Sequence, residues 1–260
     1  MPAPTRVLQR PGAIVMVFAH EDDLVEYAAR ELATLANDVV DARGRFDWTL
    51  AGGSTPAVLY RRLAREDLSL PWSRTHVWFG DERCVPPGDP QSNYKMAHDA
   101  MLASAPARAA HVHRMHGEDD PAVAAARYEQ ELRDACGLAP GGFPAFDLTL
   151  LGIGEDGHTA SLFPGTTAVA VRDRLCVANH VDHLGTWRLT LTTPTLSHSR
   201  RVWVFAVGGR KRGILGDVLG GSAKTRVRDA GEIARWPVLG VRPATDVVWW
   251  VDEAGAGGLG

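Results

Sequence analysis

An aspartate and a histidine two residues apart, Asp156 and His158 in the stretch Gly152-Ile153-Gly154-Glu155-Asp156-Gly157-His158, carry the clearest chemistry in the chain. An imidazole titrates near neutral pH and can take a proton from water, and a neighbouring carboxylate can orient the ring or stabilise its charged form. The pair follows the apolar run Asp147–Leu151 and stands where a helix is expected to begin. A buried strand supplies rigidity, and Gly152, Gly154 and Gly157 permit backbone angles closed to other residues, so the segment reads as a device for aiming an imidazole. Asp before Gly is also a common turn pair, which leaves Asp156 open to a purely conformational role.

Two further loops offer complementary groups. Leu50-Ala51-Gly52-Gly53-Ser54-Thr55-Pro56 lies between an apolar run and a helical stretch. Its glycines let the backbone approach a ligand, Ser54 or Thr55 can cap the helix, and free N–H groups at a helix start favour an anion. A plainly capped helix has the same appearance, and the spacing is neither GxxxxGK[ST] nor GxGxxG, so a nucleotide is not indicated. In Phe79-Gly80-Asp81-Glu82-Arg83-Cys84-Val85-Pro86, Asp81 and Glu82 can accept from sugar hydroxyls, while Arg83 can bind a phosphate or polarise a carbonyl. Asn93, just beyond, can cap the next helix.

These loops need a scaffold, and short apolar runs alternating with helical stretches predict one: an α/β protein with an open, mostly parallel sheet flanked by helices, Rossmann-like, with a few additional antiparallel strands. Strands are expected at Ile14–Ala19, Phe46–Leu50, His76–Phe79, Asp147–Leu151, Val202–Val207 and Asp246–Val251, and helices at Asp22–Asp41, Pro56–Arg65, Ser92–Ala103, Pro121–Ala135 and Arg210–Leu219. Leu175–Asn179 and Arg188–Thr192 read as the extra strands. One domain over residues 1–253 is expected, with 254–260 a flexible tail. In such sheets ligands gather at the carboxyl ends of strands, where all three loops fall.

Composition limits the alternatives. The chain has 260 residues, 45% of them hydrophobic, enough for a sizeable core. A net charge of −3 and a pI near 6.4 do not give the basic footprint of a nucleic-acid or membrane-surface binder. Cys84, Cys136 and Cys176 are scattered and odd in number, which fits reduced thiols in a cytoplasm. No segment approaches the length of a membrane span. His111, His113 and His116 sit close together, but no fourth ligand falls at a telling spacing, so no metal is expected. Ser54 and Ser161 lie outside any GxSxG elbow, and the tryptophans in the expected strands read as core.

The chain resembles the 6-phosphogluconolactonase family, which belongs with glucosamine-6-phosphate deaminase to one wider group. Three blocks carry the resemblance: LAGGSTP at Leu50–Pro56, GDERCVP with SNY at Gly80–Pro86 and Ser92–Tyr94, and LGIGEDGHTASLFPG at Leu151–Gly165. Weaker matches are RLTLTTPTL at Arg188–Leu196, GGRKRGIL at Gly208–Leu215 and the closing VVWWVDEAG. DERxVP and SLFP are the lactonase forms, where deaminases typically read DEY and GHIAFNEP.

The resemblance implies hydrolysis of 6-phospho-D-glucono-1,5-lactone to 6-phosphogluconate, with a monomer or weak homo-oligomer as the working unit. A lactone is an activated ester, so a base for water, donors for the oxyanion and an anchor for the remote phosphate suffice, without metal, cofactor or covalent nucleophile. His158 matches the family's catalytic histidine, with Asp156 to orient it. Arg83 is the candidate for the lactone end, with Asp81 and Asn93 lining the sugar. Gly52, Gly53, Ser54 and Thr55 are assigned to the phosphate, joined by Arg188 and Lys211. The oxyanion donor stays open among Arg83, backbone N–H groups near Gly154, and water. A deaminase and a non-catalytic sugar-phosphate sensor are the rival readings.

Overall fold

The computed structural model describes residues 2–104, 107–220 and 229–259. In chain order its elements are β1 (Arg6–Arg10), β2 (Ala13–Phe18), α1 (Glu21–Arg43), β3 (Phe46–Leu50), α2 (Ser54–Leu63), β4 (Thr75–Phe79), β5 (Asp81–Arg83), α3 (Asn93–Ala97), β6 (His111–Val112), α4 (Pro121–Cys136), β7 (Leu148–Gly152), β8 (Cys176–Val181), β9 (Thr186–Leu191), α5 (Thr193–Ser197), β10 (Val202–Ala206), α6 (Arg212–Leu219), α7 (Ala230–Arg235), β11 (Val247–Asp252) and α8 (Glu253–Ala256).

The large sheet runs β1-β2-β11-β10-β7-β3-β4-β6. All neighbours in it are parallel except β1 and β2. From β3 the chain works outward through β4 to β6; from β7 it works the other way through β10 to β11. Progress therefore reverses between β3 and β7, and the loops leaving those two strands diverge, which opens a crevice at their carboxyl ends. A second, antiparallel sheet of order β5-β9-β8 is fastened beside that crevice. Gly80, between β4 and β5, donates its N–H to Leu50 O at 3.0 Å and accepts from Leu191 N at 2.8 Å, bonding the two sheets together.

Rigidity comes from strands buried on both faces. Leu148, Leu150 and Leu151 of β7 and Trp48, Trp78 and Trp250 of β3, β4 and β11 are all essentially inaccessible, as a helix-covered parallel sheet requires. Helix α1 buries Leu24, Ala28, Leu32 and Ala36, a spacing of four that places one stripe on the core, and it ends at Gly44 in the left-handed region with φ +77°. Helix α4 starts under an Asp120 cap with Pro121 in its first turn.

The α/β architecture expected from the sequence is the one found, with differences at short elements. Strands β1, β5 and β6 were not foreseen. The helix expected over Ser92–Ala103 is the short α3 followed by a wider helical turn at His98–Leu102, and the one expected over Arg210–Leu219 begins as a 3-10 turn at Gly209–Lys211 before α6. In the histidine cluster, His113 is occupied: its Nδ1 meets Glu131 Oε1 at 2.6 Å, its Nε2 shares a hydrogen bond with His76 Nδ1 at 2.9 Å, and its ring stacks on Trp78. Among the described residues no group of three or more His, Cys, Asp or Glu is arranged to hold a metal ion, and no helix is long and apolar enough to cross a membrane.

The tail expected to be flexible is packed. Ala256 is fully buried and Leu259 is 3% exposed, Arg6 Nη1 donates to Leu259 O, and Arg6 pairs with Glu253. The Gly and Ala content that suggests disorder here lets the chain lie close to Ala206 and Gly208. Asp252 Oδ1 accepts from Gly255 N and Gly208 N, both at 2.9 Å, so the tail also braces the loop after β10. Leu259→Ala is expected to cost about 2 kcal/mol in denaturant unfolding; an unchanged midpoint would mean that the tail is loose in solution.

Candidate active site

Residues from the loops after β3, β4, β7 and β10 surround a cleft of ≈ 250 Å³ at the switch point. Its walls include Gly52, Gly53, Ser54 and Thr55, then Asp81 and Arg83, then Gly154, His158 and Ala160, and finally Lys211. A larger groove, ≈ 1120 Å³, lies at the amino ends of the strands beside Trp203, Arg200 and Arg201. Its histidine, His198, bonds the Pro194 carbonyl and no carboxylate, so the smaller cleft is the chemically equipped one.

The β7 loop holds Asp156 and His158 by a close-knit set of bonds. Asp156 Oδ1 accepts from His158 N at 3.1 Å and meets His158 Nδ1 at 2.6 Å. This engages Nδ1 and leaves Nε2 as the nitrogen able to accept a proton at the cleft. The imidazole lies on the Phe163 ring, centroids 4.1 Å apart and 26° from parallel, which removes its freedom to swing. Gly154 N–H donates to His158 O at 2.9 Å and Gly157 N–H to Gly154 O at 3.0 Å, closing the turn. A Cβ at Gly154 would collide with His158 Nδ1 and Cε1 and with Asp156 Oδ1, so a side chain there and the pair cannot coexist. Because the Gly154 N–H is spent inside the turn, it is not available to an oxyanion. The neighbouring Ala160, with φ 48°, is the sole non-glycine residue of positive φ among the described residues, and it lines the cleft; such backbone strain persists where the surroundings over-determine it.

Partial burial raises the Asp156 pKa, but the bond and charge of His158 and two backbone N–H contacts outweigh it and hold the carboxyl at about 2. A depressed carboxyl contributes stability that is present above its unfolded pKa, near ~3.9, and fades as pH falls toward about 2. The pair thus keeps its anion throughout the neutral range.

The opposite wall is cationic and donor-rich. Helix α2 starts without a side-chain cap, so the first-turn N–H groups of Ser54 and Thr55 remain to meet an anion. Gly53, φ +111°, makes the turn into it. Lys211 Nζ donates to Ile153 O at 2.7 Å, and burial pushes its pKa down, with Glu155 pulling the other way. Arg83 and Arg188 face each other in the β5–β9 register. Burial first and the Arg83 charge second depress Arg188. An anion seated here would relieve both effects.

Several expected ligands stand back from the cleft. Asn93 is 3% exposed and lies beneath Gly52, where a Cβ would strike its side chain. Its Nδ2 donates to Asp81 O at 2.9 Å, so it props up the wall and does not line the sugar. Glu82 is spent as well, accepting from the backbone N–H groups of Arg83, Asn93 and Tyr94 and from Ser92 Oγ. Thr55 Oγ1 donates to Glu21 Oε1 at 2.7 Å, which leaves its backbone N–H as the donor toward the cleft. Arg188, the partner of Arg83 across β5 and β9, is half-buried beside the cleft and does not line it. Sequence reasoning gave no role to Ser161, whose Oγ donates to Asp81 Oδ2 at 2.6 Å, or to Phe163; both lie in the SLFP stretch, which was the available signal.

Residues 19–250 match the family described as glucosamine-6-phosphate isomerases/6-phosphogluconolactonase. A 6-phosphogluconolactonase of Nostoc sp. is 38% identical over 92% of this chain and 95% of its own. Among solved structures, a 6-phosphogluconolactonase from Trypanosoma cruzi superimposes with a TM-score of 0.78 at 27% identity, covering 94% of this chain and 96% of the other. A monomeric glucosamine-6-phosphate deaminase shares the fold, with a TM-score of 0.71 at 24% identity over 94% of this chain and 99% of the other.

A carboxyl-resolved NMR titration should give Asp156 a midpoint of about 2. A midpoint near the ordinary ~4 would mean that the bond to His158 is not kept in solution.

Proposed function

Because the chain belongs to the family of glucosamine-6-phosphate isomerases and 6-phosphogluconolactonases, we propose that it hydrolyses 6-phospho-D-glucono-1,5-lactone to 6-phosphogluconate in the oxidative pentose phosphate pathway. The observation that carries the proposal is the shared cleft, in which an imidazole tied to a carboxylate through Nδ1 faces the uncapped start of α2 and Lys211. One end of such a cleft suits a reacting carbonyl and the other a phosphate.

In this reading His158 Nε2 takes a proton from water as the oxygen attacks the lactone carbonyl, and Asp156 stabilises the imidazolium that forms. Charge moves to the carbonyl oxygen, for which the Arg83 guanidinium, in the same cleft, is the candidate donor. One of its arms, Nη1, already grips Gln91 O at 2.5 Å, which fixes the plane of the group and leaves the other N–H groups for substrate. As the ring C–O bond breaks, the imidazolium returns its proton to the leaving oxygen. The phosphate rests on the Ser54 and Thr55 N–H groups, Gly53 and Lys211, with Arg188 adding charge from beside Arg83. Asp81, fixed by Ser161, accepts from a sugar hydroxyl. The proposed compartment is the cytoplasm, in keeping with the three free cysteines.

Proton release from freshly generated lactone, corrected for spontaneous hydrolysis, tests the activity. The wild type is expected to accelerate it, and His158→Ala to lose on the order of 100-fold or more in kcat while still binding 6-phosphogluconate. A near wild-type rate in the variant would remove the base. Ammonia release from glucosamine 6-phosphate in place of lactone hydrolysis would move the chain to the deaminase reading. Lys211→Ala should raise KM roughly tenfold or more with a smaller effect on kcat, as expected for loss of a charge-assisted bond; unchanged 6-phosphogluconate affinity would take Lys211 out of the phosphate seat.

A further inference from the structure

Gly157, the residue between Asp156 and His158, is fixed from outside its own loop. Its φ of +83° belongs to the left-handed region, and a Cβ placed on it would lie 2.6 Å from Trp236 Cδ1 and 3.1 Å from both Trp236 Cα and Cβ. The Gly157 carbonyl accepts from Val238 N at 3.2 Å, two residues beyond that tryptophan. Trp236 is itself held. Its N–H donates to Glu232 O at 2.7 Å at the end of α7, its carbonyl accepts from Leu239 N at 2.9 Å, and the Arg235 guanidinium lies 4.5 Å above its ring. Helix α7 is capped by Asp229, whose side chain accepts from Glu232 N. The catalytic turn thus has its N–H bonded inside the loop to Gly154 O, its carbonyl bonded to Val238, and its open Cα face covered by Trp236.

We propose that Trp236 is a positioning residue for the Asp156–His158 pair, acting by backing the Gly157 peptide that joins the two. The inference rests on His158 being the base. A glycine has the widest choice of backbone angles, and this one separates two side chains that must stay 2.6 Å apart. Rotation about its φ or ψ would carry Asp156 Oδ1 away from Nδ1 and turn the imidazole relative to the cleft. Filling the Cα face with an indole leaves the peptide one position, and a misplacement on the order of 1 Å in such a constellation costs roughly 100-fold in rate. Trp236 is half-buried, packed against the rim of the core, and it is not part of the cleft wall. Its loss should therefore disturb alignment far more than substrate binding.

The experiment compares Trp236→Ala, Trp236→Leu and Trp236→Phe with the wild type and with His158→Ala. The proposal expects kcat in the alanine and leucine variants to fall at least tenfold with KM for the lactone within about twofold, and Trp236→Phe, which keeps a ring against Gly157, to recover most of the loss. It also expects the downfield proton resonance of the His158 Nδ1–H···Asp156 bond, assigned by its absence in His158→Ala, to weaken or vanish in Trp236→Ala and to return in Trp236→Phe. Wild-type kcat with the resonance intact would overturn it, as would a rise in KM alone. Failure of both the alanine and leucine variants to fold, judged by circular dichroism, would overturn it too, since Trp236 would then be a core residue. His158→Ala separates this proposal from its premise: full activity there refutes the base, whereas an inactive His158→Ala beside a fully active Trp236→Ala refutes the positioning role alone.

Discussion

The hydrogen bond between Asp156 Oδ1 and His158 Nδ1, 2.6 Å long, sets conditions that much of the surrounding structure has to meet. It requires a turn tight enough to bring residues i and i+2 together through both a side chain and a backbone N–H, which in turn requires Gly154 to lack a Cβ and Gly157 to sit at positive φ. A turn of that kind is held only if its ends are held. Strand β7, buried between β10 and β3, fixes one end, and Phe163 stacked on the imidazole fixes the other. The switch point then gives this loop a neighbour across open space, the start of α2, so that the imidazole and the uncapped helix start line one cleft without any further device.

Electrostatics divides the cleft. The carboxylates nearest it are already occupied: Glu82 by three backbone N–H groups and Ser92, Asp81 by Ser161 and Asn93, Asp156 by His158. Burial works against the charge of Lys211 and Arg188, and Arg83 adds to the load on Arg188. Bound negative charge would therefore ease both cations, Lys211 in the wall and Arg188 beside it, which suits a phosphorylated substrate better than a neutral one. The tail contributes as well, because Asp252 ties both Gly255 and Gly208, and Gly208 precedes the turn that carries Lys211.

Legibility in the sequence followed the reach of the interactions concerned. Strand β10 is a continuous apolar run and β3 and β7 are mostly apolar, and α1 and α4 repeat their apolar residues at helical spacing, so local pattern was enough. The candidate pair lies within one loop, and its glycines and its Asp-x-His spacing are local as well. Strand β5 is three residues long and charged, Asp81–Arg83, and exists because β9 pairs with it from a hundred residues away. The role of Asn93 depends on contact with Gly52, and that of Glu82 on the start of α3, neither of which spacing reveals. The packing of the tail was not legible because its glycines carry no side chain to show an apolar pattern, and what orders it is close approach to β10 and Arg6. Trp236 is seventy-eight positions from His158 and carries no local sign of touching its loop.

A crystal structure with 6-phosphogluconate bound tests the central claim most directly. The account predicts the phosphate on the first turn of α2 within hydrogen-bond reach of the Ser54 or Thr55 N–H and of Lys211, and the carboxylate, which marks the former lactone carbonyl, beside His158 Nε2 with Arg83 on one of its oxygens. A phosphate seated next to His158, or a ligand held in the groove by Trp203 at the other end of the strands, would contradict it.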